Sequence, residues 1–105
     1  MKQNIFENIP AKIPDEIFET LIKGNNVKIE RIISKGHSSP KDFWYNQEEN
    51  EWVILLKGHA KLSFEKDELI ELLPGDYINI PANKKHRVEW TDPENETIWL
   101  AVFYK

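Results

Sequence analysis

The sequence predicts a small all-β protein, built as a sandwich or a barrel. From residue 27 onward, short apolar or alternating stretches recur every 8–12 residues or so, separated by glycine, proline and asparagine. One of them, Trp52–Leu56, is a continuous apolar run, which is typical of a strand buried on both faces. With 105 residues, 40% apolar and 30% charged, the chain has the size and composition of one globular domain.

The N-terminal residues follow a different pattern. Residues 1–13 have scattered apolar side chains without a period, and they predict a covering arm or an extra pair of strands. Pro14–Ile22 predicts a short helix, because proline suits the first helical position and Asp15–Glu16 favour the positive end of the helix dipole. We therefore divide the chain into an arm with a short helix, residues 1–26, and a barrel, residues 27–105.

The barrel strands are predicted from apolar alternation and from the turn residues between them. A strand that is apolar on both faces needs cover outside the barrel, either from the N-terminal helix or from a second subunit. The outward side chains of Trp52–Leu56 lead us to expect a two-fold homodimer. The predicted strands are Val27–Ser34, Phe43–Tyr45, Trp52–Leu56, Ala60–Phe64, Leu69–Leu73, Tyr77–Ile80, His86–Trp90 and Ile98–Tyr104.

Composition excludes several classes of function. The net charge of −4 is dispersed and forms no basic stripe, so nucleic-acid binding is not expected. The chain has no cysteine, which removes disulfides, thiolate metal sites and cysteine nucleophiles. No apolar run approaches the roughly 18–20 residues of a membrane span, and the first residues lack the apolar core of a signal peptide. We expect a cytoplasmic protein that does not bind membranes.

Two side chains that are distant in the sequence are expected to meet inside the barrel. Glu51 precedes Trp52–Leu56, and strand alternation points it inward. His86 begins the strand His86–Trp90 on the same face as Val88, which should also point inward. A carboxylate and an imidazole inside an apolar barrel suit a divalent metal. Alternatively, the carboxylate bonds to backbone or to Arg87, and the histidine is a hydrogen-bonded core residue.

These positions resemble the cupins, a family of small jelly-roll barrels, over about residues 27–104. The first cupin motif is G-x5-H-x-H-x3–4-E-x6-G. Its last part is matched here by Glu51 and Gly58, which are separated by six residues. The second cupin motif is G-x5-P-x-G-x2-H-x3-N. Its first glycine, its proline and its histidine match Gly75, Pro81 and His86 at the same spacing. Asn83 stands at its last glycine, a tolerable change because asparagine accepts left-handed backbone angles. The resemblance implies a double-stranded β-helix with a small-molecule site inside, preceded here by the short N-terminal helix.

The sequence also departs from the cupin motifs. The two histidines of the first motif fall at Trp44 and Asn46, or at Tyr45 and Gln47, depending on the spacing, and the final asparagine of the second falls at Trp90. Of the four ligands that a metal cupin uses, the resemblance therefore carries over only the carboxylate and the imidazole.

Other residues complete the list of candidates. The amide oxygens of Asn46 or Gln47 are candidate ligands, and His37, in the preceding loop, is a candidate substitute. His59, beside a turn glycine, is expected to be exposed and inert. The aromatic residues are expected to be mostly core or subunit contacts, with one or two walling the pocket. The candidate pocket residues are Trp44, Tyr45 and Trp90, and the candidate metal ligands are Glu51, His86, Gln47, Asn46 and His37.

Three functions remain open from the sequence. The first is a cupin that binds zinc, iron, manganese or nickel together with a small polar molecule, as an isomerase or a dioxygenase would. The second is a metal-free module in which Glu51 and His86 orient a small ligand. The third is a structural dimer with a vestigial pocket, since fold alone does not fix activity.

Overall fold

Two antiparallel β-sheets face each other in the computed structural model, which describes all 105 residues. The larger sheet has the strand order β1-β2-β8-β3-β6, and the smaller sheet has the order β5-β4-β7. A short 3₁₀ turn, Glu65–Asp67, joins β4 to β5 and is the only helical element, so the chain has no helix that could cross a membrane. The strands are β1 Ile17–Lys23, β2 Val27–Ser34, β3 Asn50–Lys57, β4 Ala60–Phe64, β5 Glu68–Leu72, β6 Tyr77–Ile80, β7 His86–Thr91 and β8 Thr97–Tyr104.

The predicted N-terminal helix was wrong, because most of that segment is strand β1. β1 pairs antiparallel with β2, from Ile17 opposite Ile33 to Lys23 opposite Lys28. The apolar residues that suggested a helical stripe instead lie on the two faces of a strand at the sheet edge. Backbone pairing with β2 satisfies the hydrogen-bonding groups on one side of this segment, and no local sequence signal reveals that partner.

Phe43–Tyr45 also differs from its prediction as a strand. Only Tyr45 pairs, through an isolated bridge in which its N–H donates to the carbonyl of His86 at 2.7 Å and its carbonyl accepts the N–H of His86 at 3.1 Å. The rest of the segment between β2 and β3 is a loop. The bridge fixes this loop against the first residue of β7.

The core lies between the two sheets. Side chains alternate along β3, so that Glu51, Val53 and Leu55 are buried inside, while the outward residues between them are half-buried. We expected β3 to be buried on both faces. Its inner face is buried, whereas its outer face is only half-buried. The core cluster comprises Val53, Leu55, Ala60, Leu62, Phe64, Leu72, Ile80, Trp99 and Ala101.

The N-terminal arm is attached to the outer face of the larger sheet by Arg31. This residue is 5% exposed, and its guanidinium donates to the carbonyls of Ile5 (3.1 Å) and Glu7 (2.6 Å). It also forms a bidentate pair with Glu19, at 2.8 and 2.9 Å. A planar guanidinium suits this arrangement, because its several N–H groups can serve two carbonyls and a carboxylate together.

Candidate functional site

A cavity lies between the two sheets. The centre of a water molecule can reach about 70 Å³ of it, which is room for several waters or a small organic molecule. Nine of its thirteen lining residues are hydrophobic, and none of the thirteen is a lysine or an arginine. The lining residues are Phe18, Ile32, Val53, Leu62, Ile80, Val88, Trp99 and Phe103, together with Glu16, Tyr45, Gln47, Glu51 and His86.

Strand register brings Glu51 and His86 together. Glu51 is the second residue of β3, where it lies between Phe103 of β8 and Ile80 of β6 and points inward. His86 is the first residue of β7 in the opposite sheet. The two side chains are 11% and 6% exposed, and Glu51 Oε1 lies 3.2 Å from His86 Nε2. A buried carboxylate therefore meets a buried imidazole at the wall of an apolar cavity.

The hydrogen bonds of His86 determine where its protons lie. Its Nδ1 is 3.0 Å from the carbonyl oxygen of Lys84, which can only accept, so Nδ1 carries a hydrogen. Its Nε2 faces Glu51, and an ionised carboxylate there requires a second ring proton. Burial lowers the pKa of His86, but the hydrogen bonds to Glu51 and Lys84 outweigh it, and the pKa rises above the ordinary 6.5. A protonated His86 is an imidazolium whose two N–H groups donate to Lys84 and to Glu51.

Gln47 and Tyr45 complete the polar end of the cavity. The amide of Gln47 donates to Glu51 Oε1 at 3.0 Å, and its backbone carbonyl accepts the N–H of Asn83 at 2.8 Å. The ring of Tyr45 stacks on His86 with centroids 5.6 Å apart. Both residues come from the loop before β3. They restrict the orientation of the carboxylate and the imidazole.

A second carboxylate lines the same cavity. Glu16 immediately precedes β1, and its Oε2 accepts a hydrogen bond from Ser34 Oγ. Ser34 in turn accepts from Trp99 Nε1 at 3.2 Å. No sequence signal indicates this role, because Glu16 fits the first turn of the predicted helix. Only the pairing of β1 with β2 brings it to the cavity.

The ionisation of Tyr45 reflects these carboxylates. Burial is the largest cause that raises the pKa of its phenol above 10.0, followed by the negative charges of Glu16, Glu51 and Glu30. The phenol therefore stays protonated at neutral pH and can donate a hydrogen bond. The same charges make the potential at this position negative.

Four of the predicted site residues do not line the cavity. His37 is held elsewhere, because its Nδ1 accepts the N–H of Lys35 at 2.8 Å and its Nε2 lies 3.0 Å from the carbonyl of Pro14. Trp44 and Asn46 are exposed. Trp90 is absent from the lining as well.

The displacement of Trp90 follows from an irregularity between β4 and β7. Leu62 is opposite Val88 but Lys61 is opposite Trp90, so β7 contains one extra residue at this point. Such a bulge reverses the alternation of the side chains beyond it. Trp90 consequently contacts Lys61 and His59 on the other face of the small sheet.

His59 also differs from its prediction as an exposed, inert residue. It is half-buried, its Nε2 lies 2.7 Å from Glu71 Oε2, and its ring meets Trp90 edge-on at 4.9 Å. It lies outside the cavity lining.

The residues of the cavity do not fit a metal centre well. Catalytic zinc sites use three protein ligands and structural sites use four. No group of three or more His, Cys, Asp or Glu side chains is close enough to hold one ion, so Glu16, the second carboxylate of the cavity, does not complete a site with Glu51 and His86. The amide of Gln47 is a weak third ligand, and it is engaged as a donor to Glu51. The hydrogen bond from His86 Nδ1 to Lys84 orients Nε2 as in a metal-ligating histidine. The site nevertheless lacks the third protein ligand that a catalytic metal ion needs.

Two facing antiparallel sheets with an acid and a histidine between them are the arrangement that the cupin motifs predict. The cupin domain model matches residues 30–103, and the chain belongs to this family. Asn83, where the second cupin motif has glycine, adopts the left-handed angle that glycine allows, with φ of 65°. No curated protein matches the chain.

Solved structures agree with the family assignment. A presumed mannose-6-phosphate isomerase from Ralstonia eutropha JMP134 is 42% identical, with a TM-score of 0.95 over 100% of this chain and 98% of that one. A cupin superfamily protein from Desulfitobacterium hafniense DCB-2 is 22% identical, with a TM-score of 0.76 over 91% and 83% of the two chains. The polyketide cyclase RemF from Streptomyces resistomycificus is 21% identical, with a TM-score of 0.73 over 87% and 66%. The last two share the fold alone.

Proposed function

We propose that this cupin binds a small, mainly apolar molecule in its barrel without a metal ion, and that Glu51 and His86 hold the polar group of that molecule. The observation that carries the proposal is the hydrogen-bonded chain from Gln47 to Glu51 to His86 at the wall of an apolar cavity. Apolar pockets with a few convergent polar groups are the usual form of small-molecule sites. The alternative of a metal-dependent cupin is less well supported, because the ligand set is incomplete.

The Glu51–His86 pair is suited to proton transfer as well as to binding. His86 Nε2 and Glu51 Oε1 are in hydrogen-bond reach of each other inside an apolar enclosure, so that a proton on Nε2 can be shared with the carboxylate. A ligand hydroxyl can insert between them, accepting from Nε2 and donating to Oε1, and a ligand carbonyl can accept from Nε2. Positioned groups of this kind act as general acid and base where the ligand is reactive. Tyr45, stacked on the imidazole, supplies a second donor.

A phosphorylated sugar does not suit this cavity. Phosphate groups in proteins are held by arginine, lysine or clusters of backbone N–H groups, and the lining has two carboxylates and no basic side chain except the paired His86. The relative from Ralstonia eutropha is named for mannose-6-phosphate. We do not extend that substrate to this chain.

A binding screen tests the proposal. Uncharged alcohols and ketones of a few carbon atoms are added to ¹⁵N-labelled protein, and the indole N–H of Trp99, inside the cavity, is compared with that of Trp44, which is exposed. We expect ligands to shift the Trp99 signal and leave the Trp44 signal unchanged. Ile32→Phe, which adds bulk to the cavity wall, should abolish the shift. Binding that survives in a folded Ile32→Phe variant would place the ligand elsewhere.

Metal content separates the proposal from its alternative. Protein purified without a histidine tag is incubated with zinc, iron, manganese or nickel salts and measured by elemental analysis. We expect no stoichiometric metal in the wild type. Stoichiometric metal that disappears in both Glu51→Ala and His86→Ala would overturn the metal-free proposal.

A further inference from the structure

We propose that the cavity prefers a small organic cation, namely a protonated amine with a short apolar body, over neutral or anionic molecules of the same shape. This inference rests on the proposed binding function and specifies the charge of the ligand. It follows from three features of the cavity: its carboxylates, its aromatic rings and its lack of free positive charge.

The ionised groups of the cavity leave it negative. Glu51 and His86 form a pair whose charges offset each other. Glu16 also lines the cavity, and its only hydrogen-bond partner is the neutral hydroxyl of Ser34. One uncompensated carboxylate therefore faces the ligand space. Glu16 is half-buried, so water solvates its charge only in part, and an ammonium group in the cavity would offset it.

Lys28, the basic side chain that lies over a ring of the cavity lining, is already paired. Lys28 lies over the ring of Phe103, but its Nζ is 3.4 Å from Glu30 Oε2, so its charge is balanced by a further carboxylate. Burial is the largest cause of the raised pKa of Tyr45, and the charges of Glu16, Glu51 and Glu30 raise that pKa further.

Aromatic rings supply the second interaction. Phe18, Tyr45, Trp99 and Phe103 all line the cavity. Their faces attract cations, and this attraction grows when the cation is removed from water. The ring of Phe103 already has an ammonium group 4.9 Å from its centroid, that of Lys28. An amine in the cavity would thus meet both a carboxylate and aromatic faces, whereas an anion would meet neither favourably.

Three molecules with one carbon skeleton test the charge preference directly. These are 3-methylbutylamine, which is protonated at neutral pH, 3-methylbutanol and 3-methylbutanoate. Their affinities are measured from the Trp99 indole signal at fixed ionic strength. We expect the amine to bind about tenfold or more tightly than the alcohol, and the carboxylate to show no binding. In Glu16→Gln, which keeps an acceptor for Ser34, the affinity for the amine should fall about tenfold while that for the alcohol is unchanged.

Glu94→Gln is the matched control, because it removes the same charge from an exposed turn. It should leave all three affinities as in the wild type. If the alcohol binds as tightly as the amine, or if Glu16→Gln leaves the affinity for the amine unchanged, the preference for a cation is wrong and the binding function stands. If none of the three molecules, nor any member of the neutral screen, reaches Trp99, the binding function itself fails.

Discussion

Replacing Glu51 by glutamine tests whether the buried pair is charged. At a separation of 3.2 Å, the attraction between Glu51 and a protonated His86 is about 5 kcal/mol for an effective dielectric constant of about 20. Desolvation of the two buried groups offsets most of this. Hydrogen bonds to charged groups contribute a net 1.5–3 kcal/mol or so, and glutamine retains a neutral acceptor. We therefore expect Glu51→Gln to lower the free energy of unfolding by about 1–3 kcal/mol under acidic conditions.

The loss should depend on pH in a defined direction. The fold raises the pKa of His86 above 6.5, so its protonation stabilises the protein fully below pH 6.5 and progressively less as pH rises through the folded pKa. The destabilisation by Glu51→Gln should therefore be larger near pH 5.5 than near pH 8.5. The pKa of His86 should also fall in the variant, because its largest stabilising contact is with Glu51.

Urea unfolding at these two pH values, combined with NMR titration of the three histidines, measures both effects. Glu71→Gln is the control, because it removes the carboxylate partner of His59 at the surface, where ion pairs contribute about 1 kcal/mol or less. An equal loss of stability at both pH values, with an unchanged titration of His86, would refute the charged pair.

Three further predictions concern the scaffold. Gly58→Ala should lower the free energy of unfolding by roughly 3 kcal/mol or more in urea titrations, because its Cβ would lie 2.4 Å from Thr97 Oγ1 at a φ of +97°. Gly75→Ala, with φ of +94° but no atom within 4 Å, should lose only about 1–2 kcal/mol, and equal losses would contradict the steric argument. Leu55→Ala, at a fully buried position, should lose about 2–5 kcal/mol, and an unchanged urea midpoint would mean that β3 is not core. Light scattering at micromolar concentration should give a mass of twice 12.4 kDa for the wild-type protein. Ile54→Glu, on the half-buried outer face of β3, should give a folded monomer. A monomeric wild type would refute the dimer.

The fold was largely predictable because its strands carry local signals. Strand β3 has a continuous apolar run ended by Gly58, and the second cupin motif spans β6 to β7 with its turn at Asn83. Strand β1 lacked such a signal. Its apolar residues fit a helical stripe, and only the backbone of β2 makes it a strand. Long-range pairing of this kind overrides local propensity.

The site could be predicted wherever the side chains of a strand alternate regularly between its two faces. Glu51 and His86 meet because each lies at the start of an inward-facing strand, and the cupin spacing indicated both. Trp90 was misplaced because one extra residue in β7 reverses its direction, and bulges leave no reliable trace in a single sequence. Glu16 was missed because it depends on the position of β1.

The edge position of β1 has a consequence for how a ligand enters. This strand pairs on one side only, with β2. It nevertheless brings Phe18 to the cavity, together with Glu16, the residue that precedes the strand. Edge elements open locally at a smaller free energy than the central strands of a sheet. Transient release of β1 would expose the cavity beside Phe18 and Glu16, and a bound molecule that contacts these two residues would slow amide hydrogen exchange along β1. Ligand binding and the local opening of β1 would then be linked equilibria, so that a higher ligand affinity would give slower hydrogen exchange in this strand.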